Sequence, residues 1–135
     1  MLRYFLQDFI GRCIMKIGIA GSRSLNVPIP ENCIDTEYVS TIFTGGAVGI
    51  DRRVRDFAAK KGIQITEILP EYDLYGKRAP LVRNELIVRL SDMVYVFWDG
   101  KSKGTEYVIN FCKENKKPCR VFLWKNGAFI TSENI

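Results

Sequence analysis

The feature of this chain that most constrains its fold is a repeated alternation between short apolar runs with strand spacing and longer segments with helical spacing. Strand-like runs lie at residues 16–20, 40–44, 63–69, 93–98 and 118–124. Helix-like segments lie at residues 49–61, 80–90 and 105–115. Strands that alternate with helices pair in parallel, and the helices cover both faces of the sheet. The pattern therefore predicts an α/β fold, a single doubly wound domain with a central, mostly parallel sheet of about five strands.

Three sets of apolar residues mark the helix faces that we expect to pack on the sheet. They are Ile50, Val54, Phe57 and Ala58 in the first helix, Val82, Leu86 and Leu90 in the second, and Val108, Phe111 and Cys112 in the third. Gly62 stands where a C-terminal cap is expected, and Pro80 stands in a first helical turn. Both positions support the helix boundaries.

The length of 135 residues suffices for one domain with a hydrophobic core and is short for two. We divide the chain into an N-terminal extension (1–14), a core domain (15–124) and a C-terminal tail or short hairpin strand (125–135). Arg3, Asp8 and Arg12 interrupt the apolar leader, which therefore suits neither a signal peptide nor a membrane span. We expect a cytoplasmic protein that does not associate with membranes.

Composition weighs against several kinds of chemistry. The chain has no histidine and its four cysteines form no CxxC pair, so a zinc site and histidine-dependent catalysis are poorly supported. We expect no metal and assign no cofactor. A formal net charge of +5 favours anionic partners such as nucleotides or nucleic acid, although many proteins carry such a charge for no such purpose.

Four unusual loops follow the predicted strands, at the ends where doubly wound sheets bind ligands. In chain order they read GSRS, TGGAVGID, EYDLYGKRAP and WDGKSKGT. The second and fourth place glycines before a helix, where free backbone N–H groups and the helix dipole favour an anion. Neither loop has the spacing of a Walker loop or of the dinucleotide fingerprint. An anion site is one interpretation of these glycines, and a tight turn without a ligand is the other.

Charged and amide side chains in these loops suit a phosphorylated ligand. Arg23 and Arg83 offer planar forks for phosphate, and Asn84 can both donate to and accept from a base or sugar. Asp51 lies in the first turn of its helix, where a carboxylate fits either a ribose contact or a simple cap.

Hydroxyl and aromatic side chains add to the same rim. Ser102 and Thr105 can donate to a phosphate or a ribose. Tyr72, Tyr75 and Trp98 could stack on a base, although a tryptophan at a strand end is equally suited to the core.

A run of basic residues marks the outer face of the first predicted helix: Arg52, Arg53, Arg55, Lys60 and Lys61. Such a run is compatible with a solvated helix face or with a surface that follows a nucleic-acid backbone. No aromatic residues are interleaved with it to stack single-stranded bases. Nucleic-acid binding is therefore a minor alternative.

Three stretches of the chain together resemble the SLOG superfamily of Rossmann-like domains, and most closely its small stand-alone branch related to YspA and YpsA. They read KIGIAGSRS, TGGAVGIDRRVRDFAAKKGI and YGKRAPLVRNELIVRLSDMVYVFWDGKSKGT. The likeness covers roughly residues 16–123 and depends on the order of the motifs. It implies a Rossmann-like fold with a pocket of glycine-rich loops. That pocket would bind a nucleotide or a nucleotide-derived molecule, such as an ADP-ribose derivative, for sensing or signalling.

Carried over by position, the resemblance implies a set of ligand-binding residues from all four regions. They are Gly21, Ser22, Arg23, Gly45, Gly46, Ala47, Asp51, Arg83, Asn84, Asp99, Ser102, Gly104 and Thr105. The resemblance does not identify the ligand, and it leaves both a monomer and a homodimer open.

The superfamily also includes phosphoribohydrolases that cleave the N-glycosidic bond of nucleoside monophosphates. Their signature pairs an Arg-Lys motif with a glutamate three residues after a Gly-Thr. This chain has Arg83, but Asn84 stands at the lysine position and Val108 at the glutamate position. Because such cleavage needs a nearby carboxylate, a nucleotide-processing hydrolase is an alternative rather than the main expectation. The remaining candidates for its acid–base group are Asp51, Asp99 and Glu106.

Overall fold

A computed structural model describes residues 14–132, which form a sheet of six strands and four helices. The strands are Met15–Gly21 (β1), Val39–Thr44 (β2), Gln64–Glu67 (β3), Met93–Trp98 (β4), Cys119–Lys125 (β5) and Ala128–Ser132 (β6). The helices are Ile50–Lys61 (α1), the single turn Tyr72–Tyr75 (α2), Ala79–Leu90 (α3) and Lys103–Glu114 (α4). The N-terminal extension expected at residues 1–14 lies outside the described residues except for Ile14.

The strands lie in the order β3-β2-β1-β4-β5-β6, with β1 to β5 parallel and β6 antiparallel to β5. This is the doubly wound α/β fold that the alternation predicts. The sheet has six strands rather than five because a tight hairpin adds β6. Asn126 and Gly127 form its turn with φ angles of 54° and 81°, and two positive φ angles are what a two-residue hairpin with native twist requires.

The chain order changes direction between β1 and β4, and this change positions the site. After β1 the chain builds β2 and β3 on one side, and it then crosses to build β4 and β5 on the other. The helix α1 packs on one face of the sheet, whereas α3 and α4 pack together on the opposite face. A crevice therefore opens beyond the carboxyl ends of β1 and β4, as it does in other sheets of this kind.

The predicted inner face of α1 is confirmed, and that of α3 is wrong. Ile50, Val54, Phe57 and Ala58 are all buried. In α3, however, Leu86 and Leu90 are 42% and 43% exposed, and the helix buries Ile87 and Val88 instead.

Glycine at position 18 of β1 explains this rotation of α3. A Cβ added to Gly18 would lie 2.9 Å from Cγ2 of Ile87 and 2.6 Å from Oγ of Ser91. The helix therefore packs directly on the strand at the point where β1 has no side chain. Spacing within α3 could not predict this contact, since it depends on a residue more than sixty positions earlier in the chain.

The inner face of α4 agrees with the prediction in part. Val108 and Cys112 are buried in the core beneath the helix. Phe111 is only partly buried, and its ring stacks on Tyr107 with centroids 6.3 Å apart. Within residues 14–132, no helix combines the length and the apolar character that a membrane crossing requires.

Candidate functional site

A cleft of about 170 Å³ lies beyond the ends of β1 and β4. Nine of the thirteen residues that the resemblance implies for the ligand pocket line it: Gly21, Arg23, Ala47, Asp51, Arg83, Asn84, Ser102, Gly104 and Thr105. Three residues outside that set, Ala20, Pro80 and Val108, supply apolar wall. The resemblance already implied a pocket position for Val108, where the related hydrolases have glutamate. Helical spacing could have indicated Pro80, because Pro80 lies one turn before Arg83 in α3.

Ser22 lies beneath the cleft and joins its loops. The side chain is fully buried, its Oγ accepts a hydrogen bond from the backbone N–H of Asp99 at 3.0 Å, and it lies 3.3 Å from Oγ1 of Thr105. The loop after β1 is thereby bonded to the loop after β4 and to the first turn of α4. Ser22 therefore acts on the cleft through its neighbours rather than as a lining residue.

Asp99 stabilises the loop that leads into α4. Its carboxylate accepts hydrogen bonds from Oγ of Ser24 at 2.6 Å and from the backbone N–H groups of Lys101 and Ser102 at 2.8 Å each. Partial burial alone would raise its pKa, but these donors hold the pKa at about 2. A carboxylate so fully engaged with its own loop is poorly placed to act as the acid–base group of a reaction.

Two glycines of TGGAVGID allow the chain to approach itself rather than a ligand. Gly49 has φ 79°, and an added Cβ would lie 2.5 Å from the carbonyl oxygen of Arg23. Gly46 has φ 70°, a conformation that other residues rarely adopt. At the start of α1, the N–H groups of Ile50 and Arg52 donate to the carbonyls of Ser22 and Gly49. For this loop, the tight-turn interpretation fits the structure better than an anion cradle.

Gly104 differs from these glycines, because no neighbouring atom of the described residues requires a glycine at this position. A Cβ added to Gly104 would have no neighbour within 4 Å in residues 14–132, and the φ of Gly104 is not in the left-handed region. Gly104 lines the cleft in the first turn of α4, whose N-cap is Ser102. The Ser102 hydroxyl accepts from the N–H and Oγ1 of Thr105 at 3.4 and 3.1 Å. The capped helix start thus faces the cleft with open space beside it.

Arg83 is held in the cleft by acceptors from three segments. Its Nη1 donates to the carbonyls of Gly45 at 2.8 Å and Ile68 at 3.3 Å, and its Nε donates to Oδ1 of Asn84 at 2.7 Å. Among residues 14–132, Nη2 makes no hydrogen bond. Burial lowers the pKa of Arg83, and the charge of Asp51 partly offsets this. The guanidinium remains charged because its pKa starts so high, so one edge of a fixed cation is unoccupied.

Asp51 lies beside Arg83 and is only 7% exposed. Its Oδ2 accepts from the backbone N–H of Ala47 at 3.3 Å. Burial raises the pKa of Asp51 to about 6, although the Ala47 N–H, the charge of Arg83 and the nearby Thr44 hydroxyl all act to lower it. Oγ1 of Thr44 is fully buried and lacks the geometry of a hydrogen bond to any described residue, so its hydroxyl dipole acts on Asp51 only electrostatically.

The other acid–base candidates do not reach the cleft. Glu106 lies in α4 near Lys103, with Oε1 3.7 Å from the lysine Nζ, and it is not part of the cleft wall. Asp99 is bound within its own loop. Asp51 is therefore the one carboxylate that lines the cleft in the described part of the chain.

Of the aromatic residues that could stack on a base, Trp98 belongs to the core, and Tyr72 and Tyr75 are exposed. Nε1 of Trp98 donates to the carbonyl of Ser102 at 3.1 Å, and the ring packs on the core under α4. Tyr72 and Tyr75 are 58% and 47% exposed, and the phenol group of Tyr72 lies near the guanidinium of Arg83. Trp98 is thus structural, whereas Tyr72 lies at the rim.

Most of the basic residues on α1 have partners within the protein. Arg55 makes a bidentate contact with Glu67 at 2.6 and 2.7 Å, and Nε of Arg53 donates to Asn26 at 2.9 Å. Lys60 and Lys61 both contact Glu31, at 3.4 and 3.0 Å. This pairing favours a solvated helix face, with several of its cations engaged within the protein, over a surface that follows a nucleic-acid backbone.

In the part of the chain that the structure describes, no group of three or more His, Cys, Asp or Glu side chains could hold a metal ion. No protein-family model, curated protein or solved structure matches this chain. A functional proposal for this protein therefore depends on the geometry of the cleft.

Proposed function

We propose that this chain is a cytoplasmic, SLOG-like protein whose cleft binds the phosphorylated part of a nucleotide or nucleotide-derived small molecule, for sensing or signalling. The single observation that carries the proposal is that Nη2 of Arg83 has no hydrogen-bond partner among the described residues. A guanidinium that three protein acceptors hold in place is already oriented for a phosphate oxygen, so little side-chain entropy is lost on binding.

The start of α4 supports the same ligand chemistry. Backbone N–H groups and the helix dipole favour an anion there, and Gly104 leaves room for one to approach. Ser102 and Thr105 add hydroxyl groups to that wall of the cleft. A phosphate between Arg83 and this helix start would receive donors from both sides.

The size of the cleft restricts how much of a ligand it can enclose. Its volume of about 170 Å³ is below the range of roughly 300–1,000 Å³ that is usual for complete small-molecule pockets. A sugar phosphate fits this space, and the base would extend toward the rim where Tyr72 is exposed. A nucleotide or an ADP-ribose derivative has this shape, with a compact anionic part and an aromatic end.

A second candidate function is hydrolysis of a nucleotide, and Asp51 is the observation that favours it. A buried carboxylate whose pKa is raised toward neutrality is a common property of acid–base groups. Asp51 lines the cleft beside the cation that would hold the substrate. Release of free base from nucleoside monophosphates, lost in Asp51→Asn, would favour this reaction over binding alone.

Thermal stabilisation by ligands tests the main proposal. A panel of nucleoside monophosphates, ADP-ribose, NAD and cyclic nucleotides should include a compound that raises the Tm of the wild-type protein. The shift should disappear in Arg83→Ala and persist in Arg89→Ala, which removes an arginine of the same helix that lies over the Phe111 ring, outside the cleft. A panel without any shift, or an equal shift in both variants, would count against the proposal.

A further inference from the structure

Two opposite charges that line the cleft flank Gly45, which lies behind them. A Cβ added to Gly45 would lie 2.5 Å from Nη1 of Arg83 and 2.8 Å from Oδ2 of Asp51. Both side chains line the cleft, one from α3 and one from α1. Asp51 is largely out of contact with water, so its charge depends on Arg83 more than a surface carboxylate would.

The other charged groups around Asp51 do not replace Arg83. Glu67 of β3 faces Asp51 as a like charge, but Arg55 binds that glutamate through both carboxylate oxygens. Arg23 lines the cleft from the loop after β1, and its side chain is exposed to water, which screens it. Arg83 is therefore the principal cation that keeps Asp51 ionised.

An anion that binds to Arg83 competes with Asp51 for the same charge. In a cleft of about 170 Å³, the anion is also a like charge close to the carboxylate. Like charges that share one site disfavour each other's ionised form, and one of them takes up a proton. Burial favours a neutral Asp51, because a side chain that is only 7% exposed has lost most of the hydration that stabilises its charged form.

We propose that the cleft binds its anionic ligand together with one proton, which Asp51 takes up. This inference rests on the proposed function and adds a regulatory property to it: ligand occupancy increases as the surroundings become more acidic. The direction of this pH dependence follows from the linkage between ligand binding and proton binding. Binding raises the pKa of Asp51 above its value of about 6 in the free protein, so affinity increases as pH falls through the bound-state pKa and levels off below about 6.

The experiment uses ADP-ribose and 3′,5′-cyclic AMP, whose phosphates do not titrate between about pH 5 and pH 8. Titration calorimetry in buffers of different ionisation enthalpy measures the protons that the wild-type protein takes up on binding. We expect up to one proton per ligand, and roughly a tenfold gain in affinity per pH unit within the linked range. A pH-independent affinity, or an affinity that increases with pH, would overturn the inference.

Substitution then assigns the proton to a residue. Asp51→Asn, which mimics the protonated carboxyl, should bind near neutral pH as tightly as the wild type does in acid, without proton uptake. Glu106→Gln removes a carboxylate that lies outside the cleft and should keep the wild-type pH dependence. Wild-type pH dependence in Asp51→Asn would refute the assignment. A protein that binds neither probe at any pH and shows no thermal shift with the full panel would refute the proposed function itself, and this inference with it.

Discussion

The guanidinium of Arg83 covers the backbone of Gly45: Nη1 donates to the glycine carbonyl at 2.8 Å, and no side chain fits between the two residues. This contact joins α3 to the loop after β2 and brings a fixed positive charge to the cleft. The glycine is thus required by the arginine, and the arginine is the group on which the proposed function depends.

Gly45→Ala should therefore weaken ligand binding indirectly, because it displaces Arg83. Its methyl group would lie 2.5 Å from Nη1 and 2.7 Å from Cζ of Arg83, so the guanidinium must move. We expect a loss of affinity of roughly 10-fold or more, the value of one or two charge-assisted hydrogen bonds. Titration calorimetry with the compound found by thermal shift measures it, and an unchanged affinity would separate Arg83 from ligand binding.

Gly104→Ala should leave the fold at least as stable as the wild type and should weaken ligand binding through direct contact with the ligand. In the part of the chain that the structure describes, no atom lies within 4 Å of the new methyl group, and alanine in a helix is favoured over glycine by up to about 1 kcal/mol. The free energy of unfolding in urea should be equal or higher, whereas ligand affinity should fall because the methyl group occupies the approach to α4. Equal affinity in wild type and variant would show that the ligand does not approach this helix start.

Asp51→Asn should stabilise the fold near neutral pH. Because burial raises the pKa of Asp51 from 3.8 to about 6, the folded protein loses stability relative to the unfolded chain as pH rises between those values, by up to about 3 kcal/mol. The asparagine variant lacks this loss. Urea unfolding should give nearly equal stabilities near pH 4 and a difference that opens up to pH 6 and then stays constant. A difference that does not vary with pH would contradict the shifted pKa.

Gly49→Ala should be strongly destabilising, and Gly62→Ala provides the matched control. Both glycines have positive φ, at 79° and 69°, so alanine is strained at either position. Only at Gly49 does the added Cβ meet backbone, 2.5 Å from the carbonyl oxygen of Arg23, whereas Gly62 has no neighbour within 4 Å. We expect a loss of about 1 kcal/mol at Gly62 and of about 2–4 kcal/mol at Gly49. Equal losses would show that the loops after β1 and β2 separate easily.

The course of the chain through the fold could be predicted from local patterns. Apolar spacing located β1, β2, β4 and β5 and the three long helices to within a few residues, because periodicity records which face of each element is buried. The glycine-rich loops could be assigned to one rim because the carboxyl ends of parallel strands meet there. The same local reasoning was wrong for α3, where the contact with Gly18 selects Ile87 and Val88 over Leu86 and Leu90.

The sequence by itself determined the α/β fold, since the fold follows from spacing along the chain, and the resemblance carried by its motifs supplied the set of residues that we expected near the cleft. Only the tertiary structure decided what each residue does there. Ser22, Asp99 and Gly49 are occupied in joining loops. Among the described residues, by contrast, one edge of Arg83 has no partner and no side chain fills the space beside Gly104. The physical reason is that a polar group is available to a ligand only where no other part of the chain satisfies it, and those partners lie far away in the sequence.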